Sequence, residues 1–319
     1  MIKKNDKIFV AGHKGLIGSA IIRKLKSLGY KKIITIDKKK LNLINQTKVF
    51  EFLKKNKPKF IFLAAAKVGG IYANNKYKAD FIYENLAVQS NVIHGAFKAN
   101  IKNLIFLGSS CIYPKLSRQP IKEEYLLTGK LEETNDAYAI AKIAGIKMCE
   151  SYNSQYNMNY KCLMPTNTFG PNDKYHKLNS HFIPALIKKI YDLKRKKKNA
   201  IEIWGDGSVK REIIYVDDIA DACIYFMNKK TKEKVINIGS GTDQTINKIA
   251  KEVLKILNVK AKIKFDKSKP DGTPRKLLNI NIAKKNGWKP KISFKKGIMI
   301  TYKNFIKNDF NNNYHSRKK

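Results

Sequence analysis

The chain is 319 residues long and carries 65 Lys+Arg against 25 Asp+Glu, a formal net charge of +40. With 43% hydrophobic residues it can bury a large α/β core, or a core domain with a smaller lobe, which excludes disorder over most of its length. The charge invites a nucleic-acid or membrane reading, but only six of the cations are Arg, the side chain that offers a bidentate fork. The lysines are scattered along the whole chain, so they read as solvated excess, with neither nucleic acid nor membrane as partner.

Taken in order, Lys7 to Ala11 is a short apolar run ending at glycines, a buried strand. Leu16 to Leu28 has apolar residues at helical spacing and stops at Gly29. Strand Ile33–Ile36, helix Gln46–Lys55, strand Phe60–Ala64, helix Asp80–Ala99, strand Leu104–Leu107, helix Ala137–Tyr152 and strand Tyr160–Met164 follow. Strands alternating with helices imply right-handed crossovers and a doubly wound, Rossmann-type parallel sheet, an α/β fold. After Pro165 the rhythm changes: helix Phe182–Lys198, short strands Ile201–Trp204 and Glu212–Tyr215, helix Asp217–Met227, strand Val235–Ile238 and helix Ile246–Leu257. The basic run at 194–198 reads as a solvated helix end. Asn308 to Lys319 is polar and expected to fray.

Cys111, Cys149, Cys162 and Cys223 are widely spaced, with no metal-ligand pattern, and read as reduced thiols. No apolar run approaches the ~18–20 residues of a membrane span, and the first residues lack a signal core. The expectation is a cytoplasmic protein.

Gly12-His13-Lys14-Gly15-Leu16-Ile17-Gly18 lies between strand one and helix one. Glycines there allow a tight turn, close approach of backbone N–H groups to a pyrophosphate and close helix–strand packing, with the helix dipole behind them. Asp37, at the end of strand two, stands where an acid bonds the ribose 2′-hydroxyl of NAD. Lys14 and Lys38-Lys39-Lys40 instead favour a 2′-phosphate, with Asp37 free to pair with a lysine. NADP(H) is the cofactor favoured by that balance.

Tyr138 and Lys142 lie one helical turn apart, on a shared face. A tyrosine is a poor acid–base at neutral pH, and a nearby ammonium lowers its pKa. Strand four ends in Gly108-Ser109-Ser110-Cys111, at the edge of the sheet where ligands bind, so Ser109 can face the tyrosine.

Several longer segments are far more specific: Ala64 to Ile71, Leu107 to Lys115, Tyr138 to Lys147, Pro165 to Asn167, Asn179 to Pro184 and Lys269 to Lys276. Through them the chain, from about Lys7 to Ile306, resembles the GDP-L-fucose synthase family of extended short-chain dehydrogenases/reductases. The resemblance implies 3,5-epimerisation of GDP-4-keto-6-deoxy-D-mannose and NADPH-dependent reduction at C4. Cys111 matches the family's base and His181 its acid. Ser109, Tyr138 and Lys142 match the reductase triad. Leu107, Gly108, Ser109, Ser110, Lys142, Pro165, Thr166, Asn167, Thr168 and His181 match cofactor contacts. Lys189, Trp204, Arg211 and Asp271 match contacts to the GDP-sugar substrate. Lys189 stands where some relatives carry Arg, leaving a point charge where a fork is expected.

The resemblance also implies a homodimer through the Asp80–Ala99 and Ala137–Tyr152 helices. It implies an NADP-binding domain over 1–168 with about 212–240, a nucleotide-sugar lobe over about 169–211 and 241–310, and a tail at 311–319. Two other readings stay open on the sequence: a nucleotide-sugar epimerase or dehydratase with retained NAD, and a non-catalytic binding protein on this fold.

Overall fold

Alternation along the strands decides which side chains reach which face of the main sheet. The computed structural model describes residues 1–175, 180–197, 199–269 and 272–316, with side chains described to residue 308. The chain runs β1 (Ile8–Ala11), α1 (Leu16–Ser27), β2 (Ile33–Ile34), α2 (Gln46–Asn56), β3 (Phe60–Leu63), α3 (Ile71–Lys76), α4 (Lys78–Lys98), β4 (Asn103–Leu107), α5 (Asp136–Tyr156) and β5 (Asn159–Pro165). It continues with β6 (Asn167–Phe169), α6 (Phe182–Arg195), β7 (Ala200–Trp204), β8 (Lys210–Tyr215), α7 (Val216–Asn228), β9 (Val235–Ile238) and β10 (Asp243–Thr245). The last elements are α8 (Ile246–Ile256), β11 (Lys262–Asp266), β12 (Arg275–Lys276), α9 (Asn281–Lys285) and α10 (Phe294–Ser316).

The main sheet has the order β2-β1-β3-β4-β5-β9, with every pair parallel. Ile8, Val10, Phe60, Phe62, Ile105 and Leu107 pack to one side with Ile21 and Leu25 of α1 and Ile219 and Cys223 of α7. Phe9, Ala11, Ile61, Leu63, Leu104 and Phe106 pack to the other with residues of α2, α4 and α5. Burial on both faces explains why these strands read as unbroken apolar runs. Phe62 and Phe106 are fully buried, each contributing ~2–3 kcal/mol by transfer from water. The first core continues without a break into Ile187, Val253, Ile298 and Trp288 of the C-terminal half. That half carries a sheet of β10-β8-β12, with β6 also paired to β8, and a separate β11-β7 pair.

Successive strands leave β1 in opposite directions, β2 to one side and β3 to the other. The crevice at that reversal is where doubly wound sheets hold ligands. Gly12 sits there at φ +84, where a Cβ would come within 2.6 Å of the Ala65 nitrogen. A Cβ on Gly18 would come within 2.2 Å of the Gly12 carbonyl oxygen. Both positions therefore require glycine for α1 to seat against the turn.

Strand β2 is shorter than the apolar run predicts, since it is an edge strand paired only with β1. Helix α6 ends at Arg195, inside the basic run, and Lys198 lies outside the described residues. Helix α10 carries on to Ser316, past the start of the polar stretch expected to fray. Ile298, Thr301 and Phe305 anchor it at 0, 1 and 5% exposure, and extending an anchored helix costs little. Residues 317–319 lie outside the described residues.

One buried side chain helps to hold the loop after β4. Asn237 of β9 accepts from the Tyr113 hydroxyl (2.6 Å) and donates to the Ile121 (3.0 Å) and Asn279 (3.2 Å) carbonyls. Asn237→Leu takes these bonds from the Tyr113 hydroxyl and the Asn279 carbonyl, while the Ile121 carbonyl keeps the Asn279 N–H at 2.7 Å, at ~2–4 kcal/mol. A fall of that size in urea-unfolding free energy is expected, and an unchanged midpoint would remove Asn237 from this role.

Candidate active site

The glycine turn after β1 delivers a helix N-terminus that no described side chain caps. Gly15 caps α1 without a side-chain bond, and the first turn holds no acid. The N–H groups of Leu16, Ile17 and Gly18 thus have the geometry and the dipole for a phosphate. At the end of β2, Asp37 is held by Lys14 (2.7 Å) and His13 Nε2 (3.1 Å). The Lys14 bond, ahead of an opposing burial effect and the His13 charge, keeps its carboxyl below the usual range. Lys38 lies 3.9 Å from Glu84 and is largely exposed. The acid at this corner is therefore already engaged by cations, a setting open to a further anion.

The carboxyl end of β4 turns at Gly108 into a 3-10 turn, Ser110–Ile112. Ser109 caps that turn, its Oγ accepting the Cys111 N–H at 3.1 Å. The Ser109 hydroxyl also lowers the pKa of both the Cys111 thiol and the Tyr138 hydroxyl, as a hydrogen-bonding neighbour does. Ser109, Cys111 and Tyr138 therefore form one connected cluster. Burial alone would raise the Cys111 thiol, but the Lys276 ammonium, the Ser109 bond and the Arg211 charge bring it below its ordinary value. Burial raises Tyr138 well above its ordinary value, a Cys111 thiolate raises it further, and the Ser109 bond offsets part.

Lys142 enters from α5, donating to the Leu107 carbonyl at 2.8 Å. Its Nζ lies 5.8 Å from the centre of the Tyr138 ring and 4.7 Å from that of Phe106. At 2% exposure, burial pushes it down to about 7. This differs from the simple picture in which the lysine charge makes Tyr138 acidic. The hydrocarbon around Lys142 weakens its own charge, and Tyr138 stays a firm proton holder.

Pro165 ends β5, and Thr166 and Asn167 both donate to the Glu212 carbonyl, at 3.2 and 2.9 Å. Thr168 Oγ1 turns back to the Thr166 carbonyl at 2.9 Å. His181 occupies the cap position of α6, with no side-chain capping bond. It is exposed to solvent. Burial lowers its pKa, and the charges of Lys276 and Lys174 lower it further.

Lys189 of α6 donates to the Glu202 carbonyl of β7 at 2.7 Å, so it lies near Trp204, half-buried at the end of that strand. Arg211 lies on a different sheet, in β8, and a Cβ on Gly272 would stand 3.7 Å from its Nη2. Arg211 lines an open cavity of about 400 Å³ with Tyr215, Gln244 and Phe294. Asp271 lies outside the described residues.

One prominent neighbour carried no role on the sequence. Lys276 Nζ stands 3.4 Å from Cys111 Sγ. The contact depends on β12 pairing with β8, which residue spacing alone does not announce. Cys149, Cys162 and Cys223 are buried at 0, 1 and 0% exposure, in keeping with packing roles.

Residues 8–239 match the family model described as "NAD dependent epimerase/dehydratase family". The chain is similar to the GDP-L-fucose synthase of Sinorhizobium fredii, 49% identical over 95% of this chain and 96% of that protein. It is similar to the GDP-L-fucose synthase of Escherichia coli, 45% identical over 95% of this chain and 97% of that one. Among solved structures, GDP-mannoheptose C4 reductase from Campylobacter jejuni, with NADP bound, superposes at a TM-score of 0.86. It is 36% identical and the match covers 95% of this chain and 99% of that one.

The Lys142 environment has a measurable sign. Its folded pKa of about 7 lies below the ~10.4 of an unfolded lysine. Between those values the unfolded chain binds more protons, so this residue makes stability rise with pH, by up to ~1.4 kcal/mol per unit. Below about 7 both states are protonated and its contribution is flat. The stability gap between the wild type and Lys142→Met should therefore shift toward the wild type as urea titrations move from pH 7 to 9. A gap independent of pH over ~7–9 would contradict it.

Proposed function

We propose a function from one premise: the chain belongs to the NAD dependent epimerase/dehydratase family and, within it, to the GDP-L-fucose synthases. It converts GDP-4-keto-6-deoxy-D-mannose to GDP-L-fucose, by epimerisation at C3 and C5 and NADPH-dependent reduction at C4. The observation that carries the reading is the Ser109 hydroxyl, which accepts the Cys111 N–H at 3.1 Å and lowers the pKa of both the Cys111 thiol and the Tyr138 hydroxyl. A carbon base and a proton donor thereby converge on one oxygen-binding point.

A carbon next to a ketone is acidified because its anion delocalises onto the carbonyl oxygen. Cys111, held below its ordinary thiol pKa, takes that proton. His181 supplies a proton from the other side, and its lowered pKa suits donation. Ser109 and Tyr138 hold the C4 oxygen while charge gathers there, an oxyanion stabilisation reused in both half-reactions. When bound, NADPH supplies the hydride to C4. Tyr138, kept protonated by burial, gives its proton to the resulting alkoxide.

The cradle at 12–18 fits a dinucleotide, with Leu16, Ile17 and Gly18 N–H groups on the pyrophosphate and Lys14 and Lys38 on a 2′-phosphate. Lys142 holds the nicotinamide ribose, and Leu107 to Ser110, Pro165 to Thr168 and His181 line the rest. Lys189, Trp204, Arg211 and Asp271 hold the GDP part of the sugar nucleotide. The NADP-binding domain is residues 1–168 with about 212–240, and the substrate lobe is about 169–211 and 241–310.

Two copies pair through α4 and α5. Supporting this, Tyr83 and Ile140 on those helices are 63% and 47% exposed, large apolar groups facing solvent. The enzyme works in the cytoplasm, in keeping with four free thiols; recovery in an oxidising compartment after fractionation would contradict that.

Cys111→Ser should lose deuterium exchange at C3 and C5 by ~10²-fold or more, while a pre-epimerised ketone is still reduced. Tyr138→Phe should retain exchange and lose reduction by a similar factor, and NADH should serve at least ~10-fold less well than NADPH. Normal exchange in Cys111→Ser would overturn the assignment. For the dimer, Tyr83→Glu with Ile140→Glu should halve the mass seen by light scattering; an unchanged mass points to another interface.

A further inference from the structure

The cluster contains a cation that the proposed mechanism does not use. Lys276, half-buried in β12, stands opposite Arg211 in register. Its ammonium reaches Cys111 Sγ at 3.4 Å, across a small cavity that Cys111, Glu132, Asn135, Thr273 and Lys276 line. Glu132, the carboxylate of that cavity, is engaged by Lys115 at 3.0 Å. Among the described residues, the thiol sulfur is thus the near anion-forming group for Lys276.

We propose that Lys276 is a positioning residue for epimerisation, whose ammonium, 3.4 Å from Sγ, holds Cys111 as the thiolate base. The proposal rests on the epimerase–reductase reading. The groups facing Cys111 are Lys276, the Ser109 hydroxyl, Arg211 and Tyr138. Those facing His181 are Lys276 and Lys174.

The Cys111 thiolate takes H⁺ from C3 or C5, and the C–H electron pair moves into the enolate with charge on the C4 oxygen. Cys111 is now a neutral thiol, so the Lys276 charge loses its partner. Protonated His181 releases its H⁺ to the opposite face of the carbon. The enolate electrons form the new C–H bond and the ketone returns. Exchange with solvent strips the Cys111 proton and replaces the His181 proton, resetting the pair for the second carbon.

The thiolate can be read without any sugar. Three of the four cysteines are buried at 0–1% exposure, so iodoacetamide labelling of the native NADP-loaded protein reports Cys111, with Cys111→Ser as the blank. The wild-type labelling midpoint should lie below the ~8.5 of a free thiol, and Lys276→Met should raise it by about one pH unit or more. Lys276→Arg should hold it within about half a unit, since a cation remains. In Lys276→Met, deuterium exchange at C3 and C5 should fall at least ~10-fold at neutral pH and partly recover at ~pH 9, with reduction of the pre-epimerised ketone kept within ~3-fold. Superimposable labelling profiles for wild type and Lys276→Met overturn the proposal, and so do equal shifts in the Met and Arg variants. No exchange in the wild type would instead sink the epimerase reading, while labelling would still report the Lys276–Cys111 pair.

Discussion

The buried carboxyl of Glu212 is the joint on which the site depends. It has no solvent exposure. One oxygen accepts the Gly241 N–H at 2.6 Å and the other the Leu278 N–H at 2.9 Å. Its own carbonyl takes Thr166 and Asn167. A single residue thus ties β8 to the turn after β9, to the chain leaving β12 and to the segment after β5. Burial pushes the carboxyl up to about 7 against the pull of those N–H bonds, the strain of placing an acid there. In return, Arg211 beside it and Lys276 on the neighbouring strand are held over the end of β4.

The net charge of +40 resolves into several local uses. Lys161, at 2% exposure, donates to the Phe226 and Lys229 carbonyls at 2.6 Å each, closing the end of α7. Lys194 does the same for the Leu257 carbonyl after α8, at 3.2 Å. Such lysines satisfy the orphan carbonyls of helix ends. At the cluster, two cations sway a thiol and two sway a histidine. Burial amplifies these few, while the exposed majority are screened by solvent.

The doubly wound sheet was legible because its strands are buried on both faces and therefore continuous in apolar character, as in Phe60 to Leu63. Helices with one apolar stripe, such as α8, were legible for the same reason. The short elements were not: β6, β10 and β12 have three, three and two residues, too few to show a period, and they are strands only because β8 supplies partners. Within the cluster, Ser109, Cys111 and Tyr138 stood out through local pattern and family resemblance. Lys276 did not, since its meeting with Cys111 spans 165 residues and arises from tertiary pairing. The state of Lys142 was also hidden: spacing places it near Tyr138, but only the packing against Phe106 and Leu107 tells how weakly its charge is held.

The chemistry proposed for Cys111 as a carbon base would also make it a soft nucleophile, since a thiolate answers to electrophiles and peroxides as readily as to a proton. The other three thiols lie within the core, where none is offered to the cleft as a resolving partner. An oxidised Cys111 would have no intramolecular disulfide to retreat into, and its repair would fall to thiols from outside. Passage of the ketosugar through the cleft would then double as a shield, tying the durability of the catalyst to the supply of its substrate.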